Sequence, residues 1–274
     1  SKIALVVRRE EDGIKRYVHL GTGNYNDATA KLYTDMGLLT CSDPIGEDAT
    51  AVFNMLSGYS EPKKWNKLAV APIWLKDKFL MLINREAENA RQGKKGRIIA
   101  KMNSLCDPKI MHALYDASAA GVKIDLIVRG ICCIRAGVPG LSENISVRSI
   151  VGNYLEHSRI FYFYNDGFED IYMGSADWMP RNLDKRVEIT FPVEDPELKE
   201  KIKNILKIQL ADTLKAHIMQ PDGSYEKQDL RGKVRLDSQM YFVEEARKSQ
   251  KEEDEVEDKR VFIPVEAEEP EEDI

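Results

Sequence analysis

A chain of 274 residues that is 43% hydrophobic is long enough to bury one large core or two smaller ones. No apolar run approaches the roughly 18 residues of a membrane-spanning helix, and nothing at the start resembles a signal peptide. Four cysteines without metal-ligand spacing (Cys41, Cys106, Cys132, Cys133) argue against a zinc site or a disulfide framework, and the adjacent Cys132 and Cys133 read as buried thiols of a reducing, cytoplasmic compartment.

The formal charge of −6 misleads, because residues 248–274 alone carry −8 and leave the body near +2. A neutral body can still hold a locally basic cleft, so a polyanionic substrate stays open.

In chain order, residues 3–8 and 16–20 flank Glu10-Glu11-Asp12-Gly13, the pattern of a β-hairpin with an acidic, glycine-containing turn. Gly21 to Asn26 reads as a loop. Asp27 as an N-cap predicts a helix from Ala28 to about Tyr33, and Asp48 predicts a second through Ala51, Phe53, Met55 and Leu56. The breaker run Gly58-Tyr59-Ser60-Glu61-Pro62 divides the chain into units 1–65 and 66–247. A strand at Leu68–Pro72 then leads into an amphipathic helix with Phe79, Leu80, Ile83 and Ala87 inward, ending near Gly93. The order repeats with a strand at Arg97–Met102, a helix at Pro108–Ala120 stopped by Gly121, and a strand at Lys123–Arg129. Such alternation argues for an α/β fold whose mixed, largely parallel sheets are flanked by helices. Further strands are expected at 146–150, 159–164, 170–174 and 186–191, with Asn165-Asp166-Gly167 as a hairpin turn. Residues 195–217 read as one long helix, and the acidic segment 248–274 as a disordered tail.

Two stretches share a pattern of a cation followed by a glycine-hydroxyl-small-carboxamide or carboxylate cluster. The complete copy is His157-Ser158-Arg159 and then Gly174-Ser175-Ala176-Asp177. The partial copy is Ser1-Lys2 and then Gly21-Thr22-Gly23-Asn24, whose histidine is expected one residue before Ser1. Two such halves facing each other suit phosphorus transfer. One histidine attacks phosphorus, the other manages the leaving-group proton, and the cations and amide donors hold the non-bridging oxygens. Strand alternation puts His157 and Arg159 on one side, and the hairpin brings Asp177 beside them, where it would orient the imidazole. Asn24 is assigned the matching place in the other half. Arg181 and Arg186 add positive charge to the rim. Arg129, at the carboxyl end of an apolar strand, stands where open α/β sheets bind ligands. A lone strand-end histidine is most often a bystander; the paired motifs are what single out His157. His19, beside the glycine loop, is read as structural, and His112 and His217 as ordinary helix residues.

This arrangement resembles the phospholipase D superfamily, whose signature is H-x-K followed by a glycine-serine-x-asparagine cluster. A narrower resemblance is carried by Tyr17–Asn26, Ala30–Asp35, Val128–Cys132, Tyr154–Arg159 and Ser175–Asn182. In unbroken order from residue 1 to about 245, these motifs resemble the long bacterial type of polyphosphate kinase. The resemblance implies two phospholipase D-like α/β domains, the first incomplete. It implies transfer of the terminal phosphate of ATP to a histidine and on to inorganic polyphosphate, reversibly and with magnesium (Mg2+). It assigns Tyr33 to nucleotide contact, Arg129 to phosphate and His157 as the second active-site histidine. The phosphorylated histidine would precede Lys2 by two residues and the magnesium-associated arginines would lie upstream, so no metal ligand is assigned in this chain. The chain alone is then expected to be inactive. Its implied partners are ATP, ADP, polyphosphate and further copies of the enzyme, with no specific nucleic acid, in the cytoplasm or peripheral to the inner membrane. The alternatives left open are a phosphodiesterase or transferase of the broader superfamily and a non-catalytic polyanion-binding fragment.

Overall fold

The computed structural model describes residues 1–60 and 62–257. Strands β1 (Ile3–Glu10) and β2 (Gly13–Gly21) pair antiparallel from Ile3↔Leu20 to Glu10↔Gly13. Gly13 closes the turn at φ 129°, a conformation that side chains with a Cβ rarely adopt. Helix α1 is only Asp27–Ala30, and its cap is Asn26, whose side chain accepts from the Thr29 N–H at 3.0 Å. Asp27 is the first helical residue rather than the cap. The expected continuation to Tyr33 fails, because Tyr33 lies on a two-residue strand, β3 (Tyr33–Thr34). Strand β4 (Gly37–Thr40) returns along β2 to complete a three-stranded sheet.

Helix α2 (Asp43–Leu56) starts behind Ser42 with Pro44 in its first turn, earlier than Asp48 suggested. Asp48 sits inside the helix, buried, and its carboxylate accepts the N–H groups of Asn66, Lys67 and Leu68. It anchors the connecting segment instead of starting a helix.

The remaining elements are β5 (Ala69–Val70), α3 (Leu75–Arg91), β6 (Arg97–Met102), α4 (Pro108–Ala119), β7 (Lys123–Val128), β8 (Ile145–Ile150), β9 (Leu155–Glu156), β10 (Arg159–Phe163), β11 (Asp170–Gly174), α5 (Pro180–Asp184), β12 (Ile189–Pro192), α6 (Pro196–Leu210), β13 (Ala216–Met219), β14 (Tyr225–Lys227) and α7 (Ser238–Glu257). Nine strands form one mixed sheet in the order β14-β13-β8-β7-β6-β10-β11-β12-β5. Only β6-β7 and β7-β8 are parallel; the other pairings in this sheet are antiparallel. The α/β class holds, but "largely parallel" does not. A parallel pair needs a long crossover such as α4, and the short turn at 165–167 permits only a hairpin.

The long helix stops at Leu210 instead of 217, so His217 lies on β13. Buried Asp212 ends it by accepting the N–H groups of Lys215 and Ala216 and both the N–H and Oγ–H of Ser238. Helix α7 runs through 248–257, where disorder was expected; residues 258–274 lie outside the described residues. All four cysteines are free, and Cys133 is exposed rather than buried.

Strand β10 is the seam of the molecule. Phe161 and Phe163 face a core built with α3 and α4, including Phe79, Leu82 and Trp178. Ile160 and Tyr162 face the opposite side, where Val18, Leu20, Ile45, Ala49 and Val52 pack with Val70, Phe191, Ile202 and Leu206. The buried apolar residues of 1–56 therefore share a core with the large sheet, each large side chain contributing about 1.5–3 kcal/mol by burial. A second join is the parallel pairing of β3 with β9, Tyr33↔Leu155 and Thr34↔Glu156.

Candidate active site

The β3–β9 pairing determines what surrounds His157. Thr34 O accepts the N–H groups of His157 and Ser158 at 3.2 and 3.1 Å, which draws residues 33–35 over the start of β10. As a result Asp35 Oδ1 lies 2.7 Å from His157 Nδ1, and the Tyr33 ring centroid lies 4.7 Å from that of the imidazole. On the other side of the ring, Arg159 Nη1 lies 3.1 Å from His157 Nε2. A guanidinium only donates, so Nε2 accepts and Nδ1–H donates to Asp35. The tautomer that satisfies both contacts carries its proton on Nδ1 and its lone pair on Nε2, turned toward the cation.

Asp177 does not touch the imidazole, contrary to expectation. Its carboxylate holds Arg159, accepting from Nε at 3.2 Å and Nη2 at 3.0 Å, and it also takes the Asn103 N–H at 2.7 Å. The forked pair leaves Arg159 Nη1 to reach His157 Nε2, His157 O at 2.7 Å and Thr22 O at 3.4 Å. The last contact crosses from the complete half-site to the glycine loop of the partial one. The Lys2 pKa is lowered chiefly by burial, then by the Arg159 cation, while Glu188, Asp35 and Asp177 pull it back up.

The two halves are built alike. Thr22 Oγ1 donates to Asp35 and Ser175 Oγ donates to Glu188, each acceptor thirteen residues on. Ser158 N donates to Thr34 O, and Ser1 N donates to Val187 O at 2.9 Å, the residue just before each carboxylate. Gly174 is required at this crossing, since a Cβ there would sit 2.7 Å from the Ile189 carbonyl oxygen.

Below the site lies a buried ion pair. Lys101 Nζ donates to Ser158 Oγ at 2.8 Å and Ser158 O at 3.1 Å and lies 3.1 Å from Glu156 Oε2. Gln209 and Gln239 donate to the same carboxylate. Burial alone would raise the Glu156 pKa, but the Lys101 ammonium and the Gln239 amide outweigh it and hold it below the usual carboxylate range.

Arg129 stands just past β7, its Nε donating to Asn103 Oδ1 and Glu156 O, both at 3.0 Å. Its terminal nitrogens make no hydrogen bond among the described residues, and Asn103 Nδ2 is buried without a partner. Tyr33, Arg129, Gly152, Asn153 and Tyr154 line a cavity of about 390 Å³. Asn24 is exposed, and its side chain makes no hydrogen bond among the described residues. Arg181 and Arg186 are exposed on and after α5 and make no contact with His157. His19 bonds Tyr25 Oη at 2.7 Å and abuts Gly37. Sequence reasoning missed Asp35, Glu188 and Asn103. The shared thirteen-residue offset from a loop hydroxyl was the signal for the first two.

Among the described residues no group of three or more His, Cys, Asp or Glu side chains converges as metal ligands. Asp35 and Asp177 are both engaged by His157 and Arg159.

A family model described as polyphosphate kinase C-terminal domain 2 matches residues 68–239, and one described as polyphosphate kinase C-terminal domain 1 matches residues 1–62. The chain is 58% identical over 225 residues to a polyphosphate kinase of Synechocystis sp., covering 82% of this chain and 31% of that protein. It is 53% identical over 250 residues to one of Lactiplantibacillus plantarum, covering 91% of this chain and 35% of that protein. The crystal structure of polyphosphate kinase from Porphyromonas gingivalis superposes with a TM-score of 0.85 at 38% identity, over 91% of this chain and 39% of that one. The chain thus spans about a third of the length of the curated relatives it matches.

Proposed function

Because this chain belongs to the polyphosphate kinase family, we propose that it supplies most of the active site for moving the terminal phosphate of ATP, through a phosphohistidine, to inorganic polyphosphate. The observation that carries the reading is that Arg159, beside His157 in one half, reaches Thr22 O of the other, between two halves built alike.

In the first half-reaction an imidazole nitrogen two residues before Lys2 forms a bond to the γ-phosphorus. The bond to the bridging oxygen breaks and ADP departs with that electron pair. Glu188 holds that imidazole as Asp35 holds His157, a role supported by the matched contacts of Ser1 with Val187 and Ser158 with Thr34. Lys2, Arg159 and the terminal nitrogens of Arg129 offset the negative charge spreading over the phosphoryl oxygens, where most phosphoryl-transfer catalysis resides. Tyr33 and Arg129, on one cavity, hold the nucleotide. In the second half-reaction a terminal oxygen of polyphosphate attacks the phosphohistidine and the N–P bond breaks. His157 Nε2, already the basic nitrogen, accepts the proton from the attacking phosphate and returns it in the reverse direction.

The test is single-turnover transfer from γ-labelled ATP in the full-length enzyme. His157→Ala is expected to leave labelled phosphohistidine formation measurable while slowing its discharge to polyphosphate by about 10²–10⁴. Discharge at the parent rate would rule out the role given to His157.

A further inference from the structure

The opposite end of the central strands carries a cavity of about 800 Å³ that the reaction above does not use. The active-site residues lie past the carboxyl ends of β6 and β7. This cavity lies at their amino ends, about 20 Å away by the rise of a six-residue strand. Six cations line it, Lys94, Lys95, Arg97, Lys123, Lys203 and Lys207, against one carboxylate, Glu200, in a chain whose net charge is −6.

Three of the six are neutralised locally. Lys94 pairs with Asp166 at 2.7 Å, Arg97 with Asp125, and Lys203 with Glu169 and Glu200, both at 2.7 Å. Lys95, Lys123 and Lys207 have no carboxylate within 4.0 Å among the described residues. Lys95 lies over the Tyr164 ring, 4.7 Å from its centroid, which orders the ammonium at the rim. These three come from separate elements: the turn before β6, the start of β7 and the last turns of α6. Like charges on a concave, low-dielectric wall focus a positive potential, and these three ammonium groups have no carboxylate partner among the described residues to offset it. Three ammonium groups on separate elements around one cavity suit an extended run of phosphates better than a single one.

We propose that this cavity is a second phosphate-chain site, separate from the catalytic one, which takes inorganic polyphosphate or the triphosphate of a nucleotide. The proposal stands independently of the catalytic roles assigned above.

The experiment is calorimetric titration of the chain with inorganic tripolyphosphate and, separately, with ATP. The proteins compared are the parent, a charge-reversed Lys95→Glu/Lys123→Glu/Lys207→Glu variant, an Arg129→Ala/His157→Ala variant, and a control reversing the exposed Lys63, Lys64 and Lys227. Circular dichroism verifies folding, and neutralisation of the three cavity lysines to Gln replaces the reversal if that variant fails to fold. The expected result is a component that weakens at least tenfold in the cavity variant, survives in the active-site variant and control, and falls steeply with added salt. Retention by tripolyphosphate identifies a polyphosphate site, and retention by ATP alone a nucleotide site. Unchanged binding in the cavity variant, equal loss in the control, or complete loss in the active-site variant would overturn the proposal.

Discussion

At the scale of single residues, Asp35 is the group on which the site geometry turns. It comes from the first unit, yet its carboxylate sets the tautomer of a histidine in the second. Asp35→Asn removes the charge and lets the ring reorient. The expected outcome is a 10²–10⁴-fold fall in polyphosphate synthesis by the full-length enzyme with an unchanged far-ultraviolet spectrum. Activity within threefold of the parent would show that the contact is incidental. Lys2 gives a prediction in pH. Its lowered pKa means the cation is lost below the usual 10.5, so phosphate affinity is expected to fall as pH rises through the lowered value, before 10.5 is reached. NMR titration of the Lys2 side chain checks it, and a pKa at or above 10.5 contradicts it. His157, Arg159 and Asp177 were legible because they sit in a short-range pattern across a hairpin. Asp35 was not, because its partner is 122 residues away and only the β3–β9 pairing unites them.

At the scale of elements, β9 and β10 are held from below by the Lys101–Glu156 pair. Glu156→Gln leaves a buried ammonium without its counter-charge and is expected to cost about 3–5 kcal/mol in chemical denaturation. The folded pKa of Glu156 is depressed, so its contribution is complete above the unfolded value of 4.5 and is lost as pH falls through the lower folded value. The parent should therefore lose stability on acidification below 4.5 by more than the Gln variant does. Equal acid sensitivity would remove Glu156 from the account. Gly174→Ala would press a methyl against the Ile189 carbonyl where β11 meets β12, at an expected cost of about 1–3 kcal/mol. Most strands were legible from alternation and turn chemistry. The extent of parallel pairing was not, because strand order depends on connections whose course the local pattern leaves open. The end of α6 was missed for a related reason: apolar spacing continues past Leu210, and Asp212 stops the helix through contacts with Ser238.

At the scale of the whole molecule, the break at 58–62 separates two sequence units that share one core across β10. Leu20→Ala, in the first unit, is expected to cost about 2–5 kcal/mol. It should shift one cooperative transition, seen alike by tryptophan fluorescence, with Trp65 against the Leu20 core and Trp178 in the far core, and by circular dichroism. Two separate transitions would show that the units fold independently. The shared core is also what brings the Lys2 and Arg159 half-sites to one place.

The most direct measurement is a crystal structure of the full-length enzyme with a non-hydrolysable ATP analogue. The terminal phosphate is expected between the halves, within hydrogen-bond reach of both Lys2 Nζ and the Arg159 guanidinium, with His157 Nε2 facing it. A terminal phosphate that contacts only one half, or lies outside this cluster, would contradict it.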